Sequence, residues 1–154
     1  MLEFSHKEND MNRTNIKLTP SEVTQEKITA ILQKFNIPHN DFAADPHCTI
    51  LYSRDIVDVK KITLPPLNFP IVGENAHFEL FDTKDDGIVL VIEFECPCAE
   101  KCFKYLKQQY DLSTRYPLYR AHITLQKNIA DKHIVLPKIT FNLLFDKIEL
   151  DNGD

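Results

Sequence analysis

His47-Cys48-Thr49-Ile50-Leu51-Tyr52-Ser53 is the stretch on which the reading of this chain turns, because His122-Ile123-Thr124-Leu125 repeats its opening. Each segment gives a histidine, one residue, a threonine and then apolar residues, within a run that reads as a β-strand. Side chains alternate faces along a strand, so His47 and Thr49 share one face while Cys48 and Ile50 share the other. His122 and Thr124 stand in the same relation to Ile123 and Leu125. If the two strands border one cleft, two imidazoles and two hydroxyls converge there. That is equipment for acid–base chemistry at a phosphate.

A single histidine on a strand is most often a packed structural residue, and a single threonine there reflects β-propensity. The pairing raises these four above that reading. The other histidines, His6, His39, His77 and His133, have no threonine two residues later, and none is assigned a role. The motif histidines lie 75 positions apart (122 − 47), about half the chain, which is where a duplicated half-domain would put them.

The surrounding sequence supplies a frame. Arg13 to Leu18 reads as a first strand. Thr19-Pro20-Ser21-Glu22 reads as a helix start, with Thr19 as N-cap and Pro20 at the first helical position. Val23, Ile28, Ile31, Leu32 and Phe35 form its apolar stripe, ending near Asn36. A loop from Pro38 to Pro46 leads to the first motif strand, His47 to Ser53. Asp55 to Ile62 suggests one helical turn, and Asn68 to Val72 a further strand. Ala76 to Phe81 and Ile88 to Phe94 flank Thr83-Lys84-Asp85-Asp86-Gly87, a hairpin signature. Pro97 opens a second helix through about Tyr110, with Cys98, Cys102, Phe103, Leu106 and Tyr110 on its buried side. A loop from Asp111 to Leu118 precedes the second motif strand, Tyr119 to Lys127, and Ile139 to Leu150 reads as the last strand. A helix before each motif strand predicts an α+β protein of two pseudo-symmetric, mainly antiparallel lobes around a central cleft, with the helices outside.

The chain has 154 residues, 43% of them hydrophobic, which suits one globular domain over residues 13–150 behind a flexible polar segment at 1–12. The net charge of −5 argues against a long nucleic acid and leaves room for a small anionic ligand in a locally basic cleft. The opening residues hold no apolar stretch of signal-peptide length, and no segment nears the roughly 20 apolar residues of a membrane span, so a cytoplasmic protein with reduced thiols is expected. Cys96, Cys98 and Cys102 offer three local ligands where structural zinc usually takes four, and they read as free thiols, with no metal or cofactor expected. Only three glycines occur, none in a phosphate-cradling loop. Alternation turns Cys48 away from His47, against a cysteine nucleophile.

One neutral histidine at such a cleft can take a proton from a ribose 2′-hydroxyl while the other, protonated, serves the leaving oxygen. The threonines would hold the non-bridging oxygens. With this arrangement His47-Cys48-Thr49-Ile50 and His122-Ile123-Thr124-Leu125 resemble the paired motifs of the 2H phosphoesterase superfamily. The full stretch His47 to Ser53 is most similar to phage anti-CBASS nucleases. The resemblance implies a metal-independent, two-lobed phosphodiesterase. Its substrate would be a cyclic di- or trinucleotide messenger of bacterial immunity, opened at a 3′–5′ linkage by 2′-hydroxyl attack to a linear product. It implies His47, Thr49, His122 and Thr124 as catalytic, and Glu149 as a substrate contact near the chain end. It also implies the host bacterial cytoplasm as the location. Tyr116 and Tyr119 flank the second motif and are candidates to stack on a base, and Arg120 to meet a phosphate. Two alternatives stand beside this reading. One is the same fold acting on RNA ends, at 2′,3′-cyclic phosphates or 2′–5′ linkages; the other is a non-catalytic sponge that sequesters a cyclic nucleotide. Oligomeric state and base preference are not legible in the sequence.

Overall fold

The computed structural model describes residues 11–116, 118–130 and 133–153, so most of the polar segment expected at 1–12 lies outside them. Among the described residues six antiparallel strands and three helices make an α+β fold, and the strands close into a barrel. Strand β1 (Thr14–Pro20) leads through α1 (Glu22–Lys34) and a short α2 (Asn40–Ala44) to the first motif strand, β2 (Cys48–Ser53). A single 3₁₀ turn, Val59–Lys61, occupies the ambiguous stretch that follows. The hairpin β3 (Ile71–Asp82) and β4 (Ile88–Glu95) runs into α3 (Pro97–Tyr110). The second motif strand β5 (His122–Gln126) and β6 (Leu143–Asp151) complete the chain.

Around the barrel the order is β1-β2-β5-β4-β3-β6. The ladders are unequal. β3 and β4 share seven register pairs and β1 and β6 share six, whereas β2 and β5 share one, Cys48↔Ile123, and β3 and β6 share three. The barrel is therefore two three-stranded halves, β6-β1-β2 and β3-β4-β5, joined along two short seams. In each half the central strand is followed by helical structure and then by the motif strand at the β2–β5 seam.

One apolar cluster joins strand and helix. Ile16, Leu18, Ile50, Ile92, Ile123, Leu125 and Phe145 meet Ile28 and Leu32 of α1, Phe42 of α2, and Cys102, Phe103 and Leu106 of α3. Gly73 of β3 is small for a reason: a Cβ there would sit 2.6 Å from the Phe94 ring, which stacks on Phe145 at 5.5 Å between centroids. Gly87 closes the hairpin at φ +66, a conformation glycine adopts without steric cost, and its carbonyl accepts from Thr83 N–H and Oγ1.

Several expected boundaries move. Ser21, not Thr19, caps α1: its Oγ accepts from Thr24 N–H at 3.2 Å, while Thr19 and Pro20 finish β1. Shifting the start turns the buried face to Thr24, Ile28 and Leu32, with Ile31 beside them, and leaves Val23 and Phe35 exposed. The expected strand at Asn68–Val72 fuses at Ile71 with the one at Ala76 to form β3. The last strand starts at Leu143 rather than Ile139, and the second motif strand starts at His122. Helix α3 has the expected bounds, but Ala99 is buried where Cys98 is only partly so.

Candidate functional site

The two motif strands meet at the weakest seam of the barrel. Register Cys48↔Ile123, continued one residue each way, sets His47 opposite Thr124 and Thr49 opposite His122 (both pairs sum to 171, as 48 + 123 does). Each histidine thus faces the threonine of the other motif. Across an antiparallel pair such neighbours lie about 5 Å apart. Cys48 and Ile123 are fully buried beneath them. Thr49, His122 and Thr124 are half-buried on the opposite face, and neither threonine hydroxyl bonds to another described residue. Among the described residues nothing competes with a ligand for either hydroxyl.

The imidazoles are held alike. His47 lies just before β2, and its Nδ1 is 2.8 Å from the Asp45 carbonyl; His122 Nδ1 is 2.8 Å from the Arg120 carbonyl. A carbonyl only accepts, so Nδ1 carries the hydrogen and Nε2 presents the lone pair in the neutral ring. His39 and His77 make the same local contact, so the bond sets the tautomer but does not mark the site.

Their surroundings differ. Asp45 Oδ2 stands 3.3 Å from His47 Nδ1 and 3.1 Å from Lys17 Nζ. His122 packs edge-on against Phe81 at 5.3 Å. Burial holds its pKa below the ordinary imidazole value; the Arg120 carbonyl and Glu93 oppose that shift, while Arg120 and His47 add to it. The influence of His47 on His122 is the electrostatic sign that the two rings are close.

A polar row crosses the barrel through this site. His77 pairs with Glu93, and Glu93 with His122; Thr49 pairs with Lys17, and Lys17 with Glu149. Glu149 is thus on the row of the motifs, two strands from Thr49 and exposed. Tyr116 sits 60% exposed on the loop before β5, with the Arg115 guanidinium over its ring and no recorded contact to the motif residues. Arg120 bonds Glu93 at 2.6 Å and lies 4.3 Å over the Phe81 ring, so it braces the wall beside His122 and holds the Glu93 carboxyl below its usual range. Tyr119 does not face outward as a stacking platform. Its ring packs on Phe103 at 5.1 Å and its hydroxyl donates to the Thr49 carbonyl at 2.9 Å, tying the approach to β5 onto β2. Sequence reading missed this tie, and Lys17 and Asp45 with it.

Further bonds secure the seam. Asn40 N–H donates to Gln126 Oε1 at 2.7 Å and Lys127 N–H to Asp41 Oδ2 at 2.9 Å, so α2 grips the end of β5. Burial pushes the Cys48 thiol up to about 12, which leaves it protonated and unreactive near neutrality. Among the described residues, one group has metal-ligating atoms within 4.8 Å of one another: His77, Glu79 and Glu93.

The comparison with known families settles the relationship. A family model described as "Anti-CBASS protein Acb1" matches residues 13–150. The chain belongs to the Acb1 family. Membership makes it an anti-CBASS protein and implies a cyclic oligonucleotide as its ligand. No curated protein matches the chain. No helix among the described residues is long and apolar enough to cross a membrane.

Proposed function

We propose that this Acb1-family protein is a metal-independent phosphodiesterase that opens cyclic di- or trinucleotide immune messengers at a 3′–5′ linkage. On this reading it has the two-lobed 2H phosphoesterase architecture in a single domain over residues 13–150, and works in the host bacterial cytoplasm. The observation that carries it is the crosswise arrangement at the seam: two imidazoles whose Nδ1 atoms are held by carbonyls, each opposite a threonine hydroxyl with no partner among the described residues. One neutral imidazole takes the 2′-hydroxyl proton while the other protonates the leaving 5′-oxygen. Thr49 and Thr124 donate to the non-bridging oxygens as charge grows there. Glu149, on the same cross-strand row, meets a base edge, and Tyr116 offers an exposed ring for stacking.

Incubation with a 3′,3′-cyclic dinucleotide in EDTA, followed by chromatography and mass, tests the reading. Wild type should yield a linear product, and a His47→Ala/His122→Ala double variant should not. Faster turnover of a 2′,3′-cyclic mononucleotide or a 2′–5′ oligonucleotide would assign the site to RNA ends instead. Tight binding without turnover, unchanged in the double variant, would make the protein a sponge.

A further inference from the structure

We propose that Asp45, anchored by Lys17, is a positioning residue that makes His47 the proton donor and leaves His122 as the base. The inference rests on the two-histidine reading above and adds the direction of proton flow. Both rings give their Nδ1 hydrogen to a carbonyl two residues back, and beyond that bond they part. One carboxylate oxygen of Asp45 lies 3.3 Å from His47 Nδ1 and 3.1 Å from Lys17 Nζ, so it bridges an imidazole and an ammonium. His122 makes no ion pair among the described residues. Glu93, its register neighbour, directs one oxygen at Arg120 (2.6 Å) and the other at His77 (3.3 Å).

A carboxylate beside Nδ1 keeps a hydrogen on that nitrogen and balances the charge of the imidazolium, the form whose Nε2 carries a proton to deliver. Among the described residues, Asp45 from the segment after α2 meets His47, Lys17 from β1 meets that carboxylate, and His122 from β5 lies within electrostatic reach of the ring. Lys17 holds the carboxylate in place: its side chain is only 15% exposed, and its backbone pairs with Thr49. Burial of His122 favours its neutral form, which a base requires.

The step balances. His122 Nε2 takes the 2′-hydroxyl proton as O2′ bonds to phosphorus, the P–O5′ bond breaks, and O5′ takes the Nε2 proton of His47. The products are a 2′,3′-cyclic phosphate and a free 5′-hydroxyl; His122 ends cationic and His47 neutral.

Leaving-group dependence tests it with Asp45→Asn, Asp45→Glu, His47→Ala and His122→Ala in the full chain. The substrates are a 3′,3′-cyclic dinucleotide and a nucleoside 3′-(4-nitrophenyl phosphate), whose leaving group needs no proton. Asp45→Asn should lower kcat on the dinucleotide about tenfold with KM little changed, and spare the nitrophenyl ester. Asp45→Glu should recover part of the loss. His47→Ala should show the same selectivity more strongly, and His122→Ala should fail on both substrates. Equal losses on both substrates for Asp45→Asn would reduce Asp45 to a structural role. A His122→Ala defect that vanishes on the nitrophenyl ester would reverse the direction. Wild type that opens neither substrate removes the underlying reaction, whereas normal dinucleotide cleavage by Asp45→Asn overturns the inference alone.

Discussion

The motifs at β2 and β5 hold the same pair of side chains, yet the two halves of the barrel support them by different means. The likeness goes deeper than the motif. β1 pairs Ile16 with Leu51 and Lys17 with Thr49, so Ile50 is an extra residue in β2; β4 pairs Leu90 with Gln126 and Val91 with Thr124, so Leu125 is an extra residue in β5. Each bulge falls three positions after the motif histidine. Bulges interrupt regular pairing and re-aim the strand around them, and here each falls directly after the motif threonine, Thr49 in one strand and Thr124 in the other. The difference lies in what surrounds the rings. His47 stands ahead of its strand and leans on a carboxylate, whereas His122 opens its strand, half-buried against Phe81. Two copies of one motif have thereby become unlike groups, and acid–base catalysis needs unlike groups.

The largest effect should come from removing either half of the pair. His47→Ala or His122→Ala is expected to lower kcat on a cyclic dinucleotide by about 10³-fold, with the double variant little worse than either, because the two act as a unit. Additive losses in single-turnover assays would break the coupling between the halves. Thr49→Val and Thr124→Val should each cost about 10²-fold in kcat, the loss typical of one donor to a developing oxyanion. A much larger loss at one threonine would show that a single half holds the phosphate.

The contrast in environment has a pH signature. A base must be neutral, and burial depresses the His122 pKa below 6.5. The neutral form then persists to lower pH, so the acid limb of the kcat/KM profile should lie below the ordinary imidazole value. Phe81→Ala, which opens the ring to water, should move that limb upward. The smallest effect is on stability. Tyr119→Phe deletes the bond to the Thr49 carbonyl and should cost about 1 kcal/mol in urea unfolding, the seam loosening with both histidines and both threonines retained.

How much of this was legible depends on how local each signal is. Helix α3 and the β3–β4 hairpin have punctuation in the sequence itself, Pro97 at one and Thr83 to Gly87 at the other, and both form where expected. Thr19-Pro20 resembles a helix start just as Ser21-Glu22 does. The choice was made by β6, whose Leu144 carbonyl accepts from Ser21 N–H at 2.8 Å while Pro20 is still paired with Phe145. α2 spans five residues between two prolines, too short for periodicity to show, yet it carries the chain to Asp45 and His47. The histidines and threonines were visible because a repeated pattern needs no contact to be noticed. Lys17–Asp45 and Tyr119–Thr49 are contacts across 28 and 70 positions, and no local pattern announces them. The bulges were hidden for the same reason, since a ladder is a property of two strands.

The claim that the two motif histidines drive attack by a ribose 2′-hydroxyl is tested most directly by one pair of substrates. Binding and cleavage of a 3′,3′-cyclic dinucleotide should be measured beside its 2′-deoxy counterpart, both in EDTA. The account predicts comparable binding of the two, conversion of the first to a linear product, and survival of the second. Cleavage of the 2′-deoxy ligand at a similar rate would contradict it.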